Sequence, residues 1–313
     1  MKRYLIQKLL SLLPVLLGIS LLAFTLGVLT PGNPAELALS QCGYEPTPEQ
    51  IAEMEQQMGL DAPYPVQYLR WVGRALTGDL GTSYSSRNPV AEELLRRLPV
   101  TLKLAAWAIM FTVAAGLAMG CAAAAWRGRW PDRIIKSVIN IQLSVPAFWL
   151  ALLLILLFAE TLGWLPTSGN GGPRYMLLPA LVLSTASAAQ AARLTRSALL
   201  AEFGRPYCTA AMARGIGRWR LVLRNALPNA AVPVVAMLGN SLGGMLGGSV
   251  IVESIFALPG IGSYALTAVT NRDYPALQGY VLLTGTIYVL MTLLVDTVSM
   301  LLNPKVRLGG RKL

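Results

Sequence analysis

The stretch YCTAAMARGIGRWRLVLRNALPN, residues 207–229, separates two long apolar segments of the chain. Its basic residues, together with one just upstream, are Arg205, Arg214, Arg218, Arg220 and Arg224. Because this much charge cannot lie in hydrocarbon, the stretch must lie outside a bilayer. The pattern predicts a short helix, a turn at Gly215-Ile216-Gly217, and a second helix that ends at Leu227-Pro228. A simple connection between two spans needs less structure, so we interpret residues 207–229 as a docking element.

The composition indicates an integral membrane protein. Of the 313 residues, 54% are hydrophobic and 13% are charged, whereas an ordinary soluble domain has about 25% charged residues. A net charge of +11 would suggest a nucleic-acid partner in a soluble protein. Here the basic residues fall where membrane topology places them, so no nucleic-acid partner is expected.

Six apolar segments are predicted to span the bilayer. The first, Leu9–Leu29, has 21 residues, which at ~1.5 Å per residue reach about 31 Å. It is longer than the core of a signal peptide and no Ala-x-Ala site follows it, so we expect it to be retained. The other five predicted spans are Leu102–Ala125, Ser137–Ala159, Met176–Ala192, Ala230–Val252 and Leu277–Leu302.

The distribution of basic residues predicts the orientation. Six spans place both termini on one side, and Lys and Arg number 18 on that side and seven on the other. By the positive-inside rule, the termini and the docking element are cytoplasmic. The predicted segments are 1–29 with the first span, an extracytoplasmic insert at 30–98, the remaining spans at 99–302 with a cytoplasmic loop at 203–229, and a cytoplasmic tail at 303–313.

The insert at 30–98 is predicted to be water-exposed and helical. It has nine acids and five arginines, a net charge of −4. Thr47-Pro48-Glu49-Gln50 has the features of a capping box, and Gly59 supplies a helix stop. An apolar stripe with helical spacing follows at Val66, Leu69, Val72 and Leu76. We expect short amphipathic helices that pack against one another and against the membrane surface.

No enzyme or metal site emerges from the sequence. There is no histidine, and the three cysteines, Cys42, Cys121 and Cys208, are scattered, so a zinc site, a disulfide framework and histidine acid–base chemistry are unsupported. Phosphate-binding, nucleophile-elbow and His-Glu-x-x-His motifs are missing too. We expect no catalytic residue and no cofactor in this chain. If it moves a solute uphill, the energy comes from an ion gradient or from another subunit.

Uncharged polar and small residues at membrane depth are the candidates for a translocation pathway. They are Gln142, Ser144, Ser187, Gln190, Asn240, Ser241, Gly244 and Gly248. Such a pathway passes a solute without binding it tightly, so selectivity would lie in an external capture protein. For the glycines, close helix packing is an equal alternative. Asp296 in the last span either takes part in ion coupling or reaches interfacial water or the cap of a neighbouring helix.

The docking element resembles the Glu-Ala-Ala loop of ABC importer permeases. The matching positions are Ala210-Ala211, Gly215, Ala226 and Leu227-Pro228, while Thr209 and Asn225 replace the glutamate and the isoleucine of the general pattern. In that family the loop forms the helices that sit in a cleft of the cytoplasmic ATPase. The resemblance implies ATPase coupling by Thr209, Ala210, Ala211, Arg214, Gly215, Arg218, Leu227 and Pro228.

The resemblance extends over almost the whole chain, through RLPVTLKLA, SVPAFWLALLL, ESIFALPGIG and LVDTVSMLLNPKVR. These segments are similar to dipeptide, oligopeptide and nickel permeases, and EPTPEQ before GLD, together with NRDYP, is most similar to nickel permeases. The implied fold is an all-α membrane protein, a type I ABC importer permease with six transmembrane helices and an extracytoplasmic helical insert between helices 1 and 2. The implied cargo is nickel as a chelate, with a dipeptide, an oligopeptide or glutathione as the alternative.

The resemblance also implies an assembly in a bacterial cytoplasmic (inner) membrane. Its parts are a second related permease in a heterodimer, two ABC ATPases that carry ATP and Mg, an extracytoplasmic solute-binding protein and membrane lipids. Two other classes stay open. Transport by the purified chain alone would favour a self-sufficient secondary carrier or channel, and uptake that survives deletion of the gene would favour a membrane scaffold or receptor.

Overall fold

The computed structural model describes residues 2–29, 33–40 and 46–302, with side chains from Leu12 to Val28 in the first helix and up to Thr297, apart from Asp296, in the last. The predicted tail at 303–313, Cys42 and the side chain of Asp296 lie outside the described residues. Within these ranges every regular element is a helix. The predicted all-α class is therefore confirmed.

The helices in chain order are α1 (Lys2–Leu29), α2 (Pro34–Ser40), α3 (Pro48–Met58), α4 (Tyr64–Leu76), α5 (Val90–Ala125), α6 (Trp130–Ser144), α7 (Ala147–Leu154), α8 (Pro173–Phe203), α9 (Pro206–Ala213), α10 (Arg218–Arg220), α11 (Leu227–Ile255), α12 (Ile261–Thr270) and α13 (Tyr274–Leu302). Two π-helical segments extend this set. Ile155–Thr161 continues α7, and Leu221–Ala226 joins α10 to α11.

In the part of the chain that the structure describes, four helices are long and apolar enough to cross a membrane: Val90–Ala125, Pro173–Phe203, Arg218–Ile255 and Tyr274–Val295. The helix pair Trp130–Ser144 and Ala147–Thr161 makes a fifth if it is counted as one span. Helix α1 covers the first predicted span, but its apolar part with described side chains, Leu12–Val28, is shorter. The described residues thus give four or five of the six predicted spans.

The predicted span Ser137–Ala159 is not a single straight helix, because two helices meet within it at 105°. The break falls at Val145 and Pro146. Proline has no N–H group and its ring disfavours helical backbone in the residue before it, and Val145 is accordingly extended at φ −82° and ψ 125°. Within the last turn of α6, Ser144 Oγ donates to the Asn140 carbonyl at 2.9 Å, the usual bond of a helical serine to the turn before it.

One compact unit comprises the chain up to Thr101 and residues Pro259–Val289. Its core is formed by Val90, Leu94, Ile261, Tyr264, Ala268 and Ala276. The buried Asp273 carboxylate accepts hydrogen bonds from Ser83 Oγ at 2.5 Å and from the Ser85 amide at 3.1 Å. This carboxylate therefore holds the loop before α5 against the turn before α13.

The helix predicted after Thr47 is confirmed. Thr47 and Gln50 form a reciprocal capping box, and Gly59 ends α3 in the left-handed conformation at φ +67°. The apolar stripe predicted on α4 is not the face that packs within this unit, since Val66, Leu69 and Leu76 are 38%, 67% and 83% exposed. Its packing against the membrane surface stays a prediction.

The packed face of α4 is aromatic. Tyr68 and Trp71 lie with ring centroids 5.5 and 6.2 Å from that of Phe24 in α1. The Tyr68 hydroxyl also lies 2.8 Å from Ser20 Oγ, within hydrogen-bond distance. Tyr68 thus contacts α1 in two ways, through the apolar ring and through the hydroxyl group.

The second unit comprises Leu102–Leu258 and the chain from Leu290. Its central helix is α8, which packs against α6, α7 and α11. Helix α5 reaches α8 through two glycines four residues apart. A Cβ at Gly116 would lie 2.6 Å from Ala191 Cβ, and a Cβ at Gly120 would lie 2.8 Å from the Ala192 carbonyl oxygen. Only glycine permits this approach of the two backbones.

We predict that Gly120→Ala destabilises the protein, because the added methyl group overlaps backbone and Thr195. The expected cost is about 1–3 kcal/mol, read as a lowered midpoint of thermal unfolding in detergent. Gly18→Ala in α1 is the matched control, since a Cβ there meets nothing within 4 Å. It should leave the midpoint unchanged or raise it. Equal midpoints for the two variants would contradict the packing described here.

Candidate coupling surface

Helix α9 and the turn after it form the centre of the predicted docking element. Pro206 occupies the first turn of α9, where its missing N–H costs nothing. The chain reverses at Gly215, whose φ of +76° is a left-handed conformation that favours glycine. The next helix begins at Arg218. The predicted short helix and the predicted turn are both confirmed.

The second helix does not end at Leu227-Pro228, as the sequence suggested. Arg218 to Ile255 forms one helical run, with Leu221–Ala226 as a π-helical segment in its path. A proline inside a regular α-helix collides with the carbonyl four residues earlier, whereas the wider π-turn gives the ring of Pro228 room. The docking element is therefore continuous with α11.

The inner face of α9 is small and buried. Cys208 is 0% and Ala211 6% exposed, and both belong to a cluster of buried residues. The other members of this cluster are Cys121, Ala124, Ala125, Leu199, Leu221, Val222, Ala226 and Ala230. Helix α9 is thus seated on α5, α8 and the start of α11 within one unit.

The outer face of α9 consists of the exposed residues Thr209, Ala210, Met212 and Ala213. Met212, 47% exposed, was not among the predicted coupling residues. Helical spacing gave no signal for this exposure, because Met212 lies four residues after the buried Cys208, a spacing that places the two side chains next to each other on a helix. A methionine beside two alanines is read more readily as core than as surface.

The predicted coupling residues fall into two groups. Thr209, Ala210, Arg214, Gly215, Arg218 and Pro228 are exposed. Ala211 is buried in the cluster under α9, and Leu227 packs partly against the same cluster. The exposed group can meet a partner directly, whereas the other two hold the surface in place. Contact of any of them with an ATPase stays a prediction.

A buried ion pair braces the same unit between α6 and α8. Asp132 is 1% exposed, and its two carboxylate oxygens accept from Arg196 Nε at 2.8 Å and Nη2 at 2.9 Å. The Gly128 amide donates to the same carboxylate at 3.0 Å, and Lys136 Nζ lies 3.8 Å from it. The two parallel bonds fix both distance and angle between the helices.

The predicted pathway residues do not form one group in the structure. Gln190, Asn240, Gly244 and Gly248 are exposed, Ser187 and Ser241 are partly buried, and Ser144 is exposed at the helix break. Gln142 Oε1 is buried and has no hydrogen-bond partner among the described residues. Their joint lining of a pathway stays a prediction.

The glycines of α11 differ in how closely other parts of the chain approach them. A Cβ at Gly239 would lie 2.1 Å from Val295 Cγ2, so this glycine serves helix packing. A Cβ at Gly244 or Gly247 would meet nothing within 4 Å. With Asn240, these two form an uncharged face of α11 that no described part of the chain covers closely.

The described residues contain no group of three or more His, Cys, Asp or Glu side chains that could hold a metal ion.

Comparison with known proteins gives two family matches. Residues 116–308 match the family described as binding-protein-dependent transport system inner membrane component, and residues 1–105 match the N-terminal region of such membrane components. The glutathione transport system permease protein GsiC of Salmonella paratyphi A is 41% identical over 307 residues, which are 98% of this chain and 99% of that protein. GsiC of Escherichia coli strain K12 is 39% identical over the same shares.

Among solved structures, inward-facing conformations of the MetNI methionine ABC transporter are similar to this chain. The TM-score is 0.57 at 21% sequence identity, and the match covers 67% of this chain and 96% of that one. At this identity the likeness concerns the fold alone. It supports the type I importer architecture for the helices.

We predict that Arg196→Gln destabilises the unit, because it leaves the buried Asp132 carboxylate without its bidentate partner. Breaking such a pair costs roughly 3 kcal/mol. The readout is the midpoint of thermal unfolding in detergent, compared with Arg193→Gln, which removes an exposed arginine from the same helix. A loss of stability that is equal in both variants would show that charge, and not the ion pair, is responsible.

Proposed function

The chain belongs to the family of binding-protein-dependent transport system inner membrane components, and from this membership we propose that it is the permease through which an ABC importer takes up glutathione or a similar small peptide. Members of this family are transport subunits of the inner membrane without catalytic activity of their own. The chain is therefore a multi-pass inner-membrane permease of an ABC importer. The solute, the partners and the orientation are the proposed part.

The proposed class of solute rests on the similarity of this chain to glutathione permeases along almost its full length. Two such permeases match 98% of this chain at 41% and 39% identity, including the insert and the pathway helices. The nickel cargo expected from EPTPEQ and NRDYP receives no support from these relatives. The uncharged face of α11 at Asn240, Gly244 and Gly247 is also compatible with the passage of a small polar peptide that it does not bind tightly.

The proposed assembly pairs this chain with a second related permease in a heterodimer. Two cytoplasmic ATPases bind ATP and Mg and receive the outer face of α9, and an extracytoplasmic binding protein delivers the solute to the insert and to residues 253–275. ATP binding closes the ATPases, and the movement rocks the permease pair between inward and outward openings. Family membership supports this assembly.

The proposed topology has six spans, with α1 as the first and the bent pair α6 and α7 as the third. Residues 1–29 carry the N-terminus and the first span, 30–98 form the outer insert, 99–302 hold the remaining spans, and 303–313 form a cytoplasmic tail. The side with both termini and α9 has 18 Lys and Arg residues and the opposite side has seven, which supports a cytoplasmic location for the termini and α9.

Reconstituted uptake tests the function. In proteoliposomes that hold the complete transporter, loaded binding protein and internal ATP, we expect ATP-dependent accumulation of labelled glutathione. Excess unlabelled glutathione should lower it by roughly tenfold, and a nickel–histidine chelate should have no effect. Accumulation by this chain without ATPases would instead support a secondary carrier, and competition by the chelate would restore nickel as the cargo.

The coupling role predicts that Gly215→Trp separates ATP hydrolysis from uptake. A Cβ at Gly215 meets nothing within 4 Å, so the bulky ring is directed outward, where the ATPase would dock. The left-handed backbone, at φ +76°, adds about 1–2 kcal/mol of strain. Gly215→Asn is the control, because asparagine tolerates this conformation and is smaller. Normal glutathione uptake by the tryptophan variant with its ATPases assembled would contradict the assignment.

A further inference from the structure

Tyr207, at the start of α9, connects this helix to the two long helices on either side of it. Its hydroxyl donates to Glu202 Oε2 near the end of α8 and accepts from Asn229 Nδ2 near the start of α11, the latter at 3.0 Å. We propose that Tyr207 is a positioning residue that transmits the displacement of α9 to α8 and α11 together. This inference rests on the proposed function of α9 as the ATPase-coupling helix.

The two bonds are directional and one is charge-assisted. The Tyr207 hydroxyl can donate only one hydrogen bond, and the Glu202 carboxylate accepts it. In the second bond the hydroxyl oxygen is the acceptor and the Asn229 amide is the donor. Partial burial, followed by the hydrogen bond to Glu202, raises the pKa of the Tyr207 phenol to about 12. The phenol therefore stays protonated at physiological pH. Arg205 Nε lies 3.7 Å from the other oxygen of Glu202 and keeps the carboxylate in place.

The rest of α9 offers little that could replace these bonds. Cys208 and Ala211 contact the cluster below with short side chains, which fix the depth of the helix but give little resistance to sliding. Thr209 Oγ1 donates to the Arg205 carbonyl within its own turn at 3.3 Å. Side-chain hydrogen bonds from α9 to both neighbouring helices come from Tyr207 alone in the part of the chain that the structure describes.

The mechanical consequence follows from the geometry. Without the Tyr207 bonds, packing through small side chains would hold α9 in depth but would resist its sliding less, so that part of a force from a partner would not reach α8 and α11. Because the Tyr207 hydroxyl is hydrogen-bonded to both α8 and α11, a displacement of α9 also displaces these two helices. Tyr207 itself is 38% exposed and does not need to touch the partner for this role.

The test uses the complete transporter with Tyr207→Phe, which removes the hydroxyl and keeps the ring. Two readouts are taken: hydrogen–deuterium exchange of the peptide covering residues 207–213, and glutathione taken up per ATP hydrolysed in proteoliposomes. We expect exchange to rise and uptake per ATP to fall, each roughly fivefold, at unchanged assembly. Asn229→Ala, which leaves the bond to Glu202, should give a smaller change in both.

Ser197→Ala is the matched control, since it removes an exposed hydroxyl of α8 that donates to the Leu194 carbonyl within the same helix. It should change neither readout. Unchanged exchange in Tyr207→Phe and Asn229→Ala overturns the inference whatever the solute, and so does faster exchange with normal uptake per ATP. If the transporter with Tyr207→Phe fails to assemble, the same two measurements on Asn229→Ala, exchange of residues 207–213 and uptake per ATP, test the inference. Absence of ATP-driven uptake by the unaltered transporter contradicts the proposed function, and the exchange comparison then still decides whether Tyr207 holds α9.

Discussion

The close approach of α5 and α8 is the constraint on which the second unit depends. In a bilayer the lipid tails are as apolar as leucine, so helices gain little from leaving them and must gain from contact and hydrogen bonding. Gly116 and Gly120 meet α8 at backbone distance, and Thr112 Oγ1 donates to the Ser184 carbonyl at 3.5 Å one turn away. Because α8 is held in this way, it supports both the Asp132–Arg196 ion pair and the buried cluster under α9 in fixed positions.

Features set by a few neighbouring residues could be predicted from the sequence. The capping box at Thr47, the left-handed turn at Gly215 and the helix that opens at Pro206 each depend on local backbone chemistry. Features set by distant contacts could not. Whether Pro228 ends a helix or lies within one depends on a π-turn before it, and nothing in the residue types specifies that turn.

The candidate site shows the same division. The location of the docking element could be predicted from its arginines and from the glycine and proline residues that interrupt its helices. The orientation of its first helix could not be predicted, because Ala210 and Ala211 are chemically alike and only packing makes one exposed and the other buried. The NRDYP segment is instructive for the solute. Asp273 in it is buried and binds Ser83 and Ser85, so the segment is required by the fold and cannot by itself report which solute is carried.

The π-helical segment between α10 and α11 has a consequence for how the two ends of that helical run are related. A π-turn holds about one residue more than an α-turn, which corresponds to a rotation of roughly 100° about the helix axis. The angular phase of the end that begins at Arg218 is thereby set independently of the phase of the glycine-rich face at Asn240 and Gly244. One inserted residue is enough to let a single helix present two surfaces, each aligned to its own surroundings.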